Sequence, residues 1–239
     1  MVNDLNKCLY ENFDNDFETA LSLLDRDFAD EELFSLLENG TVPQKQFAAL
    51  NIKTVNNIKN AEVLVSNLTG CDGKIREAVA SKIYNILSVN PEKRNLFNYP
   101  EIFAAATIDI NANICRLVID SIAILRAEKS FLEEYKNKIL SFVSEAFNGL
   151  DQIIYKDKKY VVNKQLFKLY WCLEALKLFV FDLDEDVLYP ILKRCSEERE
   201  YTIRERTAQI ISLINSDKYS DIKAKLLKDE NYYVRVALI

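Results

Sequence analysis

Three arginines, Arg76, Arg204 and Arg235, carry the most chemically suggestive pattern in this chain, because each follows an Ile or Val at the start of an apolar stretch. The segments read DGKIREAVASKIYNIL from Asp72, EYTIRERTAQIISLI from Glu200 and NYYVRVALI from Asn231. Guanidinium groups repeated in this way support two kinds of chemistry. One is a ladder of bidentate donors offered to a phosphate backbone or an acidic peptide. The other is internal: each arginine bonds an Asp, an Asn or a carbonyl near the turn of an adjacent segment and holds the stack in register.

The residue types behind most enzyme chemistry are missing. The chain contains no His, which excludes Ser-His-Asp and Cys-His arrangements, His-containing zinc sites and the commonest general base. No GxGxxG or GxxxxGK[ST] occurs among its 4 Gly, so a phosphate-cradling loop is not expected. The acidic run DLDEDV from Asp182 to Val187 lacks the spacing and glycine of a calcium loop and reads instead as an acid-rich helix start, favourable to the helix dipole. No catalytic, cofactor or metal residues are therefore assigned.

These segments must be held by helices. The 239 residues are 49% hydrophobic and 28% charged with only 4 Pro, enough for a core and poor in turn punctuation. No strand-like alternation persists beyond about five residues. No apolar run reaches the roughly 18 residues of a membrane span, and the N-terminus lacks the layout of a secretory signal. The 5 Cys are scattered, without a CxxC pair, and read as reduced thiols. An intracellular, cytoplasmic protein is expected, with no membrane partner.

Spacing organises the helices into repeats. Arg204 and Arg235 lie 31 residues apart, and the same step back from Arg76 reaches Lys45 in VPQKQFAALNI. Weaker copies fill the interval: NANICRLVIDSIAIL, with Cys115 in the arginine slot, and VVNKQLFKLYWCLEALKLF. In this reading Asp30 caps EELFSLLEN, which stops at Gly40, and Pro43, Pro91 and Pro100 each open a helix. Lys129 to Ile154 forms a long helix with a break at Gly149, Asp184 to Glu197 another kinked at Pro190, and the lysine-rich segment Tyr155 to Tyr160 a loop. Residues 1–28 are expected to form N-terminal capping helices and 29–239 the repeats of one domain.

The pattern resembles the HEAT repeat family, in which the second helix of each unit opens with Asp, two variable residues, Val-Arg and then small residues. The resemblance spans about Ala29 to Ile239 and is best at Asp72–Leu87 and Tyr201–Ile214. It implies an all-α fold, a right-handed α–α superhelix of about five to six helical repeats belonging to the armadillo-type solenoids. It also implies that second helices line a concave side. The stripes Ile75, Val79, Ile83, Ile86 and Ile203, Thr207, Ile210, Ile214 would then face neighbouring repeats. Opposite them, Lys45, Glu77, Ser81, Arg116, Asp120, Lys168, Trp171, Glu205 and Gln209 would form a mixed-charge inner face. In the family the arginines usually tie the stack together.

The function this implies is a non-catalytic scaffold that binds an unidentified protein or peptide along the concave face. Trp171, the only tryptophan, is either a partner-binding anchor or core. A second reading is a DNA-binding protein resembling the alkylation-repair glycosylases, with Trp171, Asp120 and Arg116 as its aromatic, acidic and basic trio. A formal charge of −6 opposes nucleic-acid binding. The resemblance to HEAT-like bilin lyases brings no recognisable bilin pocket. Because the sequence stops at VRVALI, partway through a copy, the reading also expects either truncation of a longer array or self-association through the C-terminal end.

Overall fold

The computed structural model describes residues 18, 21–25, 27–152 and 159–239. The expected capping helices of residues 1–28 and the loop Tyr155 to Tyr160 fall largely outside the described residues. Most of the described residues are helical, joined by turns and irregular connections such as 52–56, and among them there is no strand. The fold is the expected all-α helical repeat.

Helices fall into two compact units, Met1–Tyr135 and Lys136–Ile239. The first contains α1 (Asp30–Asn39), α2 (Val42–Asn51), α3 (Ile58–Ser66), α4 (Gly73–Val89), α5 (Pro100–Thr107) and α6 (Ala112–Leu125), and ends within α7 (Lys129–Asp151). The second holds the rest of α7, then α8 (Lys159–Leu176), α9 (Glu185–Cys195), α10 (Tyr201–Leu213), α11 (Ser220–Leu226) and α12 (Tyr232–Val236). Even-numbered helices stack on one another: α2 on α4 and α4 on α6 in the first unit, α8 on α10 and α10 on α12 in the second. Odd-numbered helices cover them, as α1 packs on α2, α5 on α6 and α9 on α10. This is the arrangement of an armadillo/HEAT-like repeat, whose single pair cannot bury its apolar stripe alone.

The apolar spacing explains the stacking. Ile75, Val79, Ile83 and Ile86 lie on one face of α4 and are all buried. In α10 the equivalent Ile203, Thr207 and Ile210 are fully buried, and Thr207 satisfies its hydroxyl on the Ile203 carbonyl at 2.8 Å. Ile214 lies just past the end of that helix. In the first unit the aromatic core includes Phe103, Phe131 and Tyr135, with the Tyr135 hydroxyl 2.8 Å from that of Thr107.

Two local expectations, at Asp30 and Gly149, are corrected. Asp30 is the first residue of α1 rather than its cap. Its carboxylate accepts instead from the backbone N–H groups of Lys53 and Thr54, each at 3.0 Å, and from the Thr54 hydroxyl. Pro91 opens a helix as expected, a 3-10 helix over Pro91–Phe97. The long helix α7 runs through Gly149 without a break, the missing side chain leaving room for Gln165 of α8. Pro190 lies inside α9, five residues past the Glu185 start, so it deprives only the Asp186 carbonyl of its helical donor.

Candidate interaction surface

The repeated slot, the fourth residue of α2, α4, α6, α10 and α12, is occupied by Lys45, Arg76, Cys115, Arg204 and Arg235. In all five the side chain turns back to a backbone carbonyl ahead of its own helix, in the preceding turn for four of them and in the last turn of α1 for Lys45. The Arg76 Nη1 donates to Gly70 O at 2.8 Å and Cys71 O at 3.1 Å. Nη1 of Arg204 donates to Glu198 O and Arg199 O, both at 2.8 Å. Arg235 makes the same pair to Asp229 O at 2.5 Å and Glu230 O at 3.0 Å. Lys45 reaches Glu38 O at 2.9 Å, and even the Cys115 thiol donates to Asp109 O at 3.1 Å.

Two of the arginines also reach forward. Arg76 grips Asp109 with Nε at 2.7 Å and Nη2 at 3.2 Å. Arg204 grips Asp229 at 2.6 and 3.0 Å. Both pairs are nearly closed to solvent, each arginine side chain 10% exposed and each aspartate 9%. The same aspartates order the next turn, Asp109 accepting from Asn111 N and Asp229 from Asn231 N, and each Asn then caps its helix. The hydrogen bond from Arg204 holds the Asp229 carboxyl below the usual carboxylate range. These guanidinium groups are internal ties, the second of the two roles their spacing allowed.

Reading the sequence missed the receiving aspartates. Their signal was Asp-x-Asn ending four residues before the slot, present as Asp109–Asn111 before Cys115 and Asp229–Asn231 before Arg235.

The residues expected on an inner face divide by unit and by engagement. In the first unit Glu77 is half-buried and accepts from the side-chain amides of Asn111 and Asn113 at 3.1 and 3.0 Å, tying α4 to the start of α6. Lys45 and Ser81 are half-buried, whereas Arg116 and Asp120 are exposed on α6. In the second unit Lys168 pairs with Glu145 at 2.6 Å and lies over the Phe142 ring. Gln209 accepts from Lys177 at 3.0 Å, and Glu205 lies 3.7 Å from Arg206. Arg206 itself pairs with Glu174, bonds the Tyr170 hydroxyl and covers the Tyr170 ring at 4.7 Å.

Trp171 is corrected as an exposed anchor. It is 5% exposed, wedged edge-on between Phe167 and Tyr170. In the first unit Arg116 donates to the Asn113 side-chain oxygen at 2.9 Å. The acidic run at Asp182 behaves as a helix start, with Asp184 capping α9 through Asp186 N at 2.8 Å.

No helix among the described residues is long and apolar enough to cross a membrane. Burial drives the Cys115 thiol up to about 12, and pushes Cys195 up further.

No protein-family model and no curated protein matches the chain. Solved structures similar to it include two engineered proteins of the Northeast Structural Genomics Consortium and a designed armadillo repeat protein. The first engineered protein is 17% identical at a TM-score of 0.49, with 87% of this chain and 93% of that chain covered. The second is 15% identical at 0.48, covering 89% and 96%. The designed armadillo repeat protein is 12% identical at 0.43, covering 88% and 97%. The repeat architecture stands on the helix stacking itself.

Proposed function

We propose that the chain is a non-catalytic helical-repeat scaffold that binds a protein or peptide along the inner helices of its repeats. The observation that supports this reading most directly is the fate of the arginines. Once Arg76 and Arg204 are turned inward onto Asp109 and Asp229, the accessible inner-helix side chains are of mixed sign: Arg116 and Asp120 on α6, Lys168 on α8, Glu205 on α10. A phosphate backbone calls for an uninterrupted basic strip, whereas a folded or peptide partner is recognised by alternating charge and shape.

The test is partner capture. The immobilised chain should retain a stoichiometric protein from lysate of its source cells, and the double variant Asp120→Lys, Glu205→Lys should lose it while keeping the parent's urea midpoint. Retention that ignores the reversal, or a low-salt shift of duplex DNA by the parent chain, contradicts the proposal.

A further inference from the structure

We propose that the second unit carries a cleft for the lysine side chain of a partner peptide, between the middle of α8 and the start of α10. The cleft has a volume of about 420 Å³ and is lined by Leu166, Phe167, Tyr170, Trp171, Glu200 and Thr202. Three aromatic rings and a leucine supply an apolar wall, and a single carboxylate stands with them. That combination accepts an aliphatic stem ending in a cation: the stem packs on the rings, the ammonium is attracted by their faces, and the carboxylate neutralises it.

Two details of the geometry favour an incoming cation over an apolar side chain. Glu200 uses one carboxylate oxygen, Oε1, to cap α10 through Thr202 N at 3.5 Å and the Thr202 hydroxyl at 3.3 Å. Its other oxygen makes no hydrogen bond or ion pair among the described residues; Arg204 feels the carboxylate through space, but its guanidinium is bonded to Asp229. Tyr170 already holds a cation, Arg206, against its ring, and that guanidinium is neutralised by Glu174 rather than by Glu200. The carboxylate at the cleft is thus left for a charge from outside.

The indole N–H of the cleft wall is an unmet donor inside the protein. Trp171 is 95% enclosed by the protein, yet its Nε1 has no hydrogen-bond partner. An indole donor normally finds an acceptor when buried. Here the donor is closed off inside the protein while the rest of the residue helps line the cleft, so the indole is a shielded reporter beside it.

That the amine arrives on a peptide rests on the scaffold reading above; the chemistry of the cleft does not. Trp171 is the only tryptophan of the chain, so intrinsic indole emission reports on this site alone. The experiment titrates the full chain with the blocked peptide acetyl-Gly-Ser-Lys-Ser-Gly-amide and with its counterpart carrying norleucine in place of lysine. A saturable emission change is expected with the lysine peptide, with affinity at least about tenfold weaker for norleucine, the scale of one desolvated cation–π contact with its counter-charge. Glu200→Gln keeps the capping oxygen and should lose affinity to a similar degree. Phe167→Leu, which keeps apolar volume but removes a ring, should weaken binding in the same direction. No saturable change, or equal affinity for the two peptides, overturns the proposal. If the emission response is lost while partner capture still depends on Asp120 and Glu205, the cleft is wrong and the scaffold reading survives. The converse result separates them the other way.

Discussion

Arg76 and Asp109, 33 positions apart in sequence, meet through two hydrogen bonds of 2.7 and 3.2 Å, closing the turn before α4 onto the turn before α6. Arg204 and Asp229 repeat the relationship between α10 and α12. Because both partners are almost shut off from water, removing either strands a charge. Arg76→Ala and Arg204→Ala should each cost about 3–5 kcal/mol of unfolding free energy. Lys45→Ala, which loses one exposed bond to a carbonyl, should cost less than about 1 kcal/mol. Urea titration of the three variants gives the ranking directly.

Acid should attack the same tie. Asp229 is held below the ordinary carboxylate range first by the Arg204 hydrogen bond, against the opposing effect of burial. A carboxylate with a depressed native value stabilises the fold above its unfolded value, near about 4, and that contribution disappears as pH falls through the native value. Asp186, bonded by Lys218, and Asp221, bonded by Tyr189, are lowered in the same direction. Comparison with Asp229→Asn isolates the one tie. The parent should lose stability faster than the variant between about pH 4 and pH 2, and parallel loss in both would show that Asp229 gives no acid-sensitive stability.

Thiol chemistry offers a check on burial. Cys71 is exposed, while Cys115, Cys172 and Cys195 are buried. With Cys115 held near 12 by burial and by Asp109, almost no thiolate exists there at pH 8. A disulfide reagent applied to the native chain should modify Cys71 rapidly and these three only at the rate of unfolding. Fast labelling at Cys115 or Cys195, read by mass spectrometry of digests, would contradict the packing described.

Two glycines should respond oppositely to alanine. A Cβ at Gly40 would stand 2.5 Å from the Leu36 carbonyl oxygen, a backbone atom that cannot step aside. Gly40→Ala should therefore cost about 1–3 kcal/mol. At Gly149 the obstruction is the amide end of Gln165, 2.7 Å away on a flexible side chain. Gly149→Ala sits in a helix interior, where alanine is favoured by about 1 kcal/mol, so the variant should be neutral or more stable. Thermal midpoints of the two variants moving the same way would refute this reading of the spacing.

Much of the fold was legible because the slot residue marks the inner helices. Asp72 followed by Ile75-Arg76 fixed the start of α4, and Asp72 does cap it through Ile75 N at 2.8 Å. Asp30 misled because an acid before an apolar run reads as a cap, whereas a carboxylate reaching over 20 residues ahead to Lys53 and Thr54 leaves no local sign. Trp171 was undecidable from pattern, since KLYWCLEALKLF is apolar around most of α8 and gives no single outward face. The candidate cleft was invisible for a further reason. Its carboxylate, Glu200, belongs to a cap 29 residues beyond Trp171, and only the packing of α8 on α10 brings them together.

The central claim is that the recurring arginines hold neighbouring repeats together rather than contacting a partner. A double-mutant cycle on Arg204 and Asp229 tests it most directly: Arg204→Ala, Asp229→Ala and the pair, each measured for unfolding free energy and for partner capture. The account expects a coupling of about 1.5–3 kcal/mol between the two sites, with capture unchanged wherever the chain remains folded. Additive stabilities, together with loss of the partner on removing Arg204 alone, would contradict it.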